Sequence, residues 1–154
     1  MAALPPRFKE LADWLVDQTG ADALAIDSMH KMAGGAIQEN WQLHVTVRGG
    51  TLDGASRLVL RTDAPSSVGE SHGRAEEYAL LQAAFTAGVA VATPHLLSTG
   101  RDVIGTPFFI MDHRPGQAQA RKIVRDPALP DYGDALAAAL GREMARIHSI
   151  GTSD

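Results

Sequence analysis

No cysteine occurs among the 154 residues, which excludes disulfides, thiolate metal sites and a cysteine nucleophile. No block of basic charge is present either. The 14 lysines and arginines stand against 18 acidic residues, for a net charge of −4. Nothing in that balance recruits nucleic acid or an anionic membrane. The opening Met1-Ala-Ala-Leu-Pro-Pro-Arg7 has no long apolar core and does not read as a signal peptide. No apolar run reaches membrane length. The six histidines show no His-Glu-x-x-His spacing, so no metal site is assigned. Internal repeats and low-complexity tracts are missing as well. What is there is an ordinary globular composition, 45% apolar, enough to bury a core. The expected location is the cytoplasm.

Turn and periodicity signals divide the chain. Phe8, Leu11, Ala12 and Leu15 fall at i, i+3, i+4 and i+7 behind Pro5-Pro6, which predicts a helix ending near Gly20. Residues 42–47 alternate, with Leu43, Val45 and Val47 on one face, and predict a half-buried strand. Gly49-Gly50 and Asp53-Gly54 mark a turn, and Leu58-Val-Leu-Arg61 predicts a second strand. Residues 62–73, rich in Ser, Pro and Gly, predict a loop. Residues 75–87 predict a helix with two apolar stripes (Tyr78, Leu81, Phe85 and Leu80, Ala84, Ala87), stopped by Gly88. Short strands are predicted over residues 94–97 and 107–111, with Pro107 tolerated at a first position. Residues 116–130 read as polar and irregular. Residues 134–150 predict a helix with Leu136, Leu140, Met144 and Ile147 on one face. Helix, antiparallel strands, helix, two strands and helix make an α+β fold.

Several residues could carry chemistry. Gly34-Gly35, expected between two strands, lets backbone N–H groups approach phosphate oxygens, although a hairpin turn alone also asks for glycine. No Gly-Lys-Ser/Thr follows, so this is not a Walker loop. Arg61 ends an apolar strand, where a cation can pair with phosphate or with a carboxylate of the next helix. Glu77 heads a buried stripe of that helix and needs a partner there; like Glu76, it is also favoured by the helix dipole. The strand Phe108-Phe-Ile-Met111 leads into Asp-His-Arg-Pro-Gly116, whose main-chain groups could face a purine with Met111 packed beside it.

Taken in order, these pieces resemble the aminoglycoside phosphotransferase and choline kinase-like family, a branch of the protein-kinase-like fold. The matching stretches are Gly34-Gly35 with Asn40, Leu58-Val-Leu-Arg61, Glu76-Glu77-Tyr78-Ala-Leu-Leu81, Gly88-Val-Ala-Val-Ala-Thr-Pro94, Gly105-Thr-Pro-Phe-Phe-Ile-Met111 with Pro115-Gly116, and Leu140-Gly-Arg-Glu-Met-Ala-Arg-Ile-His148. The resemblance implies a nucleotide-binding small lobe with an N-terminal helix over residues 1–111. A crossing segment over 112–116 and the start of the large lobe over 117–154 would follow. It implies ATP as cofactor, with Mg²⁺ in the parent enzyme, and a small-molecule hydroxyl as phosphoryl acceptor. Gly34 and Gly35 would lie over the phosphates, and Arg61 would stand where the family usually has lysine. Glu77 would be its ion-pair partner. Asp112 and Arg114 would offer main-chain groups to adenine, beside Met111.

Arginine for lysine is a departure, since its planar fork does not reproduce an ammonium at a phosphate site. Phosphoryl transfer also needs an acceptor-orienting aspartate and metal-binding residues. The family's His-Gly-Asp loop would follow His148, so no catalytic residue is assigned within this chain. The expectation is an amino-terminal part, inactive by itself. Asp131-Tyr132-Gly133 mimics a metal-binding triplet but precedes the predicted helix. Two other classes compete. Gly69-Glu-Ser71-His-Gly73 spells a nucleophile elbow with Asp134 and His148 downstream, although no buried strand runs into Ser71. A non-catalytic nucleotide- or partner-binding module is the other; its uncovered lobe surface would favour self-association.

Overall fold

The computed structural model describes residues 4–32, 38–55, 57–64, 73–117 and 119–151. A 3-10 turn over Pro6–Phe8 leads into helix α1, Leu11–Thr19. Strands β1 (Ala23–Lys31), β2 (Gln38–Arg48) and β3 (Arg57–Asp63) follow. Helix α2 (Arg74–Thr86) precedes strands β4 (Pro94–Ser98) and β5 (Phe108–Asp112). Helices α3 (Ala120–Val124) and α4 (Leu129–His148) come last. The strands form one antiparallel sheet in the order β1-β2-β3-β5-β4. The α+β architecture expected from the sequence, a small lobe of antiparallel sheet and packed helix, is the one observed.

Strand alternation gives the sheet two different faces. On one face Leu43, Leu58, Leu60, Phe108 and Ile110 are completely buried together with Phe8, Leu11 and Leu15 from the N-terminal segment. Trp14 meets Phe108 edge to face at 4.9 Å, and Phe8 meets Trp41 at 5.0 Å. The predicted stripe of α1 is thus the lid of the main core. The other face carries Arg61 paired with Phe109 and Val59 paired with Met111. There Tyr78 of α2 packs on Phe109, ring centroids 5.8 Å apart.

Glycines set the ends of these elements. α1 closes at Gly20 in the left-handed region, φ 66°, where a residue without Cβ is favoured. At Gly50, φ is 71° and a Cβ would sit 2.4 Å from the Thr19 carbonyl oxygen and 2.7 Å from the Ala21 nitrogen. Only glycine lets the β2–β3 turn press against the end of α1, where Thr51 N–H donates to that same carbonyl at 3.0 Å.

Glu39 adds a buried charged node to the main-core face. It is 6% exposed, and burial alone would raise its pKa. Lys31 Nζ donates to Oε1 at 2.8 Å, while Arg7 and Trp41 Nε1 (3.0 Å) donate to Oε2. Together these donors, and the Arg7 charge, overcome desolvation and hold the carboxyl at about 2. The N-terminal segment, β1 and β2 are thereby tied at the end of the ladder where Lys31 pairs with Trp41.

A strand was expected before Gly34-Gly35, without bounds, and it is β1, an edge strand over residues 23–31 with Ile26 as its only buried residue. Its ladder to β2, from Ala23↔Arg48 to Lys31↔Trp41, supplies what periodicity does not. Residues 116–130 are not wholly irregular, since α3 lies within them. α4 begins at Leu129, five residues earlier than expected, with Pro130 in its first turn, where the missing N–H is harmless. Asp131-Tyr132-Gly133 is therefore helical. The face of Leu136, Leu140, Met144 and Ile147 exists, but these side chains are 37–58% exposed. Among the described residues no helix is long and apolar enough to cross a membrane.

Candidate functional site

The site forms where β3 and β5 meet α2. Arg61 points away from the main core because Leu60 and Thr62, its neighbours on β3, point into it. On the same face α2 delivers Glu77 from its first turn. Glu76, the other first-turn acid, does a different job: its Oε2 accepts from Gly73 N–H at 3.0 Å. That is half a capping box, because Gly73 has no side chain to return the bond. The two adjacent glutamates, alike in sequence, are separated by helix geometry into one cap and one site residue.

Arg61 Nη2 lies 2.6 Å from Glu77 Oε1, with the side chains 21% and 28% exposed. Nη1 donates to Asn40 Oδ1 at 3.1 Å, and Nη2 also donates to Gln38 Oε1. The Nε–H is buried and has no partner among the described residues. Such a donor carries a desolvation cost unless something else satisfies it. Beside the pair is a cavity of about 330 Å³, lined by Arg61, Glu77, Leu80, Leu81, Phe109 and Met111 among others. It combines an apolar wall with one cation and one carboxylate. That combination can receive a ligand with an apolar or aromatic part and an anionic part.

The sequence-derived residues divide into three groups. Arg61, Glu77 and Met111 are brought together. Asp112 and Arg114 do not line that cavity: Asp112, paired with Leu58 of β3, has its side chain on the main-core face of the sheet, where it lines a second hollow of about 340 Å³ with Gly54, Ala55, Arg57, His113 and Pro115. The Asp112 carboxylate bonds His95 Nε2 at 2.7 Å and lies 3.5 Å from Arg114 Nη2. Burial pushes its pKa up, but the bonds from His95 and Thr93 and the charges of His95 and Arg114 bring it below the usual carboxylate range. Its N–H donates to the Thr93 carbonyl at 3.0 Å, so the donor half of its expected main-chain role is already used. Gly34 and Gly35 lie outside the described residues. Just before them Met32 N–H donates to Asn40 O at 2.8 Å.

Arg74 was missed. Its side chain is completely enclosed, 3.1 Å by Nε from Asp63 Oδ1, and its Nη1 donates to Glu77 Oε2. The signal available in sequence was its i,i+3 spacing from Glu77 at a helix start, easily read as a surface pair. The hydrolase triad cannot assemble: Asp134 and His148 share α4, 14 residues apart, or about 21 Å along the axis at 1.5 Å per residue. Ser71 lies outside the described residues. Among the described residues no group of three or more His, Asp or Glu side chains could hold a metal ion.

The comparisons with known proteins agree with this geometry. The match to the phosphotransferase enzyme family (APH) covers residues 29–154. Among curated proteins, acyl-CoA dehydrogenase family member 10 of Mus musculus is 33% identical over 61% of this chain and 9% of its own length. Acyl-CoA dehydrogenase family member 11 of Gallus gallus is 37% identical over 52% of this chain and 10% of its own. The Mus musculus member 11 is 32% identical over 63% of this chain and 12% of its own. The chain thus spans about a tenth of the length of these relatives. No solved structure matches it. With the family match running from the end of β1 through α4, across every element that builds the Arg61–Glu77 site, the chain belongs to the phosphotransferase enzyme family.

Proposed function

We propose that this chain grips the phosphates of ATP, as the small-lobe part of a phosphotransferase that delivers the γ-phosphoryl group to a small-molecule hydroxyl. The observation that carries this reading is the Arg61–Glu77 pair at 2.6 Å beside an apolar cavity, with the Arg61 Nε–H left without a partner among the described residues. The orphaned donor and the guanidinium charge fit a phosphate oxygen. The wall of Leu80, Leu81, Phe109 and Met111 fits apolar or aromatic ligand surface. Gly34 and Gly35 would contribute backbone N–H groups over the phosphates, and Asp112 its carbonyl, with Arg114 N–H, to the base.

Bound MgATP supplies the phosphoryl group and the metal charge that neutralises it. The contribution of this chain is positional. Arg61, anchored by Asn40, Gln38 and Glu77, presents a fixed positive charge at a half-buried site, where it interacts more strongly than in bulk water. The dehydrogenase activity in the relatives' names belongs to proteins of which this chain matches about a tenth, and is not carried over.

Saturable binding of a nonhydrolysable MgATP analogue to the full chain tests the proposal. Arg61→Ala removes a charge-assisted contact worth about 1.5–3 kcal/mol, so affinity should fall roughly 10- to 150-fold. Unchanged affinity in Arg61→Ala would sink the assigned role.

A further inference from the structure

Glu77 does not belong to Arg61 alone. Its two oxygens are divided between two guanidinium groups, Oε1 facing Arg61 Nη2 at 2.6 Å and Oε2 accepting from Arg74 Nη1. The Arg74 side chain is wholly enclosed, although arginine is rarely buried in full. An enclosed guanidinium needs counter-charges, and the two that it meets among the described residues are adjacent to the candidate phosphate site. One is Glu77, a turn along α2. The other is Asp63 Oδ1 at 3.1 Å, on the last residue of β3 and two residues beyond Arg61. Arg74 therefore braces the first turn of α2 against the strand that presents Arg61.

The geometry points to Arg74 as a positioning residue of the nucleotide site. It acts by holding Glu77 so that one carboxylate oxygen is left for Arg61. Being enclosed, it touches no ligand itself. With Arg74 in place the Glu77 carboxylate cannot swing both oxygens onto Arg61, and α2 cannot lift its first turn from β3. Arg61 then keeps one guanidinium orientation, with Asn40 and Gln38 on the β2 side and Glu77 on the α2 side. Lysine could not replace Arg74, since one ammonium cannot reproduce the two-sided fork that reaches Asp63 and Glu77 together.

This inference rests on the reading of Arg61 as the phosphate-binding cation, so the experiment has two arms. In the ligand-free full chain, guanidinium NMR should show resolved, slowly rotating Nη signals for Arg61, which collapse to an averaged signal in Arg74→Met. In binding of a nonhydrolysable MgATP analogue, Arg74→Met should weaken affinity about tenfold when Arg61 is present and less than about twofold in an Arg61→Ala background, the coupling expected of residues in one network. Asp63→Asn should shift both readouts the same way by less, and it carries the test if Arg74→Met does not fold. Unchanged Arg61 signals, or an equal affinity loss in both backgrounds, would overturn the inference, because a merely structural role predicts the latter. Absence of analogue binding by the parent chain would refute the nucleotide reading instead and leave the NMR arm to decide the positioning role.

Discussion

Glu39→Gln is the most informative single change, because its size and its pH dependence both follow from the structure. The substitution keeps shape and removes charge. In the folded chain the carboxyl sits at about 2 instead of its ordinary 4.5. At about 1.4 kcal/mol for each tenfold change in proton affinity, that gap corresponds to about 3 kcal/mol of stability at neutral pH. Lys31 is half exposed, 52% by side chain, and its share is screened by water, so a loss of about 2 kcal/mol is expected for the variant. The sign follows from the depressed pKa. Between about 2 and 4.5 the unfolded chain binds the proton and the folded chain does not, so stability rises with pH across that window. The contribution is complete above 4.5 and is lost as pH falls through about 2. Urea denaturation of parent and variant at pH 7 and at pH 3 measures both quantities. At pH 3 the parent should have lost more than half of its advantage over Glu39→Gln. Equal stabilities at pH 7, or curves that stay parallel across the window, would refute the account of Glu39 as a clamped carboxylate.

Two further outcomes are expected. Gly50→Ala combines a left-handed φ of 71° with a Cβ 2.4 Å from the Thr19 carbonyl, and should cost about 2–4 kcal/mol by strain and backbone displacement; a denaturation midpoint like the parent's would show that the turn relaxes freely. The double change Leu140→Glu, Met144→Glu should leave stability within about 1 kcal/mol, because both side chains are more than half exposed; a larger loss in thermal melting would show that this face of α4 is covered within the chain.

Much of the fold was legible because local chemistry and burial agree. The stripe Phe8, Leu11, Leu15 and the alternation Leu43, Val45, Val47 are all buried, and the stop at Gly88 has the expected positive φ of 76°. The bounds of β1 were not legible, although a strand was expected before Gly34, because an edge strand with one buried residue has no periodic signature and is defined by its partner's hydrogen bonds. The candidate site was half legible. Arg61 and Glu77 could be paired from their order, and they do pair. Asp112 could not be placed, since its N–H is taken by Thr93 and its carboxylate by His95, partners 19 and 17 residues away.

The sequence by itself determined most of the elements and the order in which they follow, because helix stripes, strand alternation and glycine stops act over a few residues at a time. It also determined which cations (Arg57 and Arg61 on the strand, Arg74 on the helix) and which helix-borne carboxylates were available on the elements beside the cavity. Only the tertiary structure decided that Glu76 caps the helix while Glu77 meets Arg61, that Arg74 is enclosed between Asp63 and Glu77, and that Glu39 is clamped by Arg7 and Lys31. Charges have no periodicity that reveals their partners. Whether a guanidinium reaches solvent or a buried carboxylate depends on what the rest of the chain brings within about 4 Å, where desolvation and pairing are settled together.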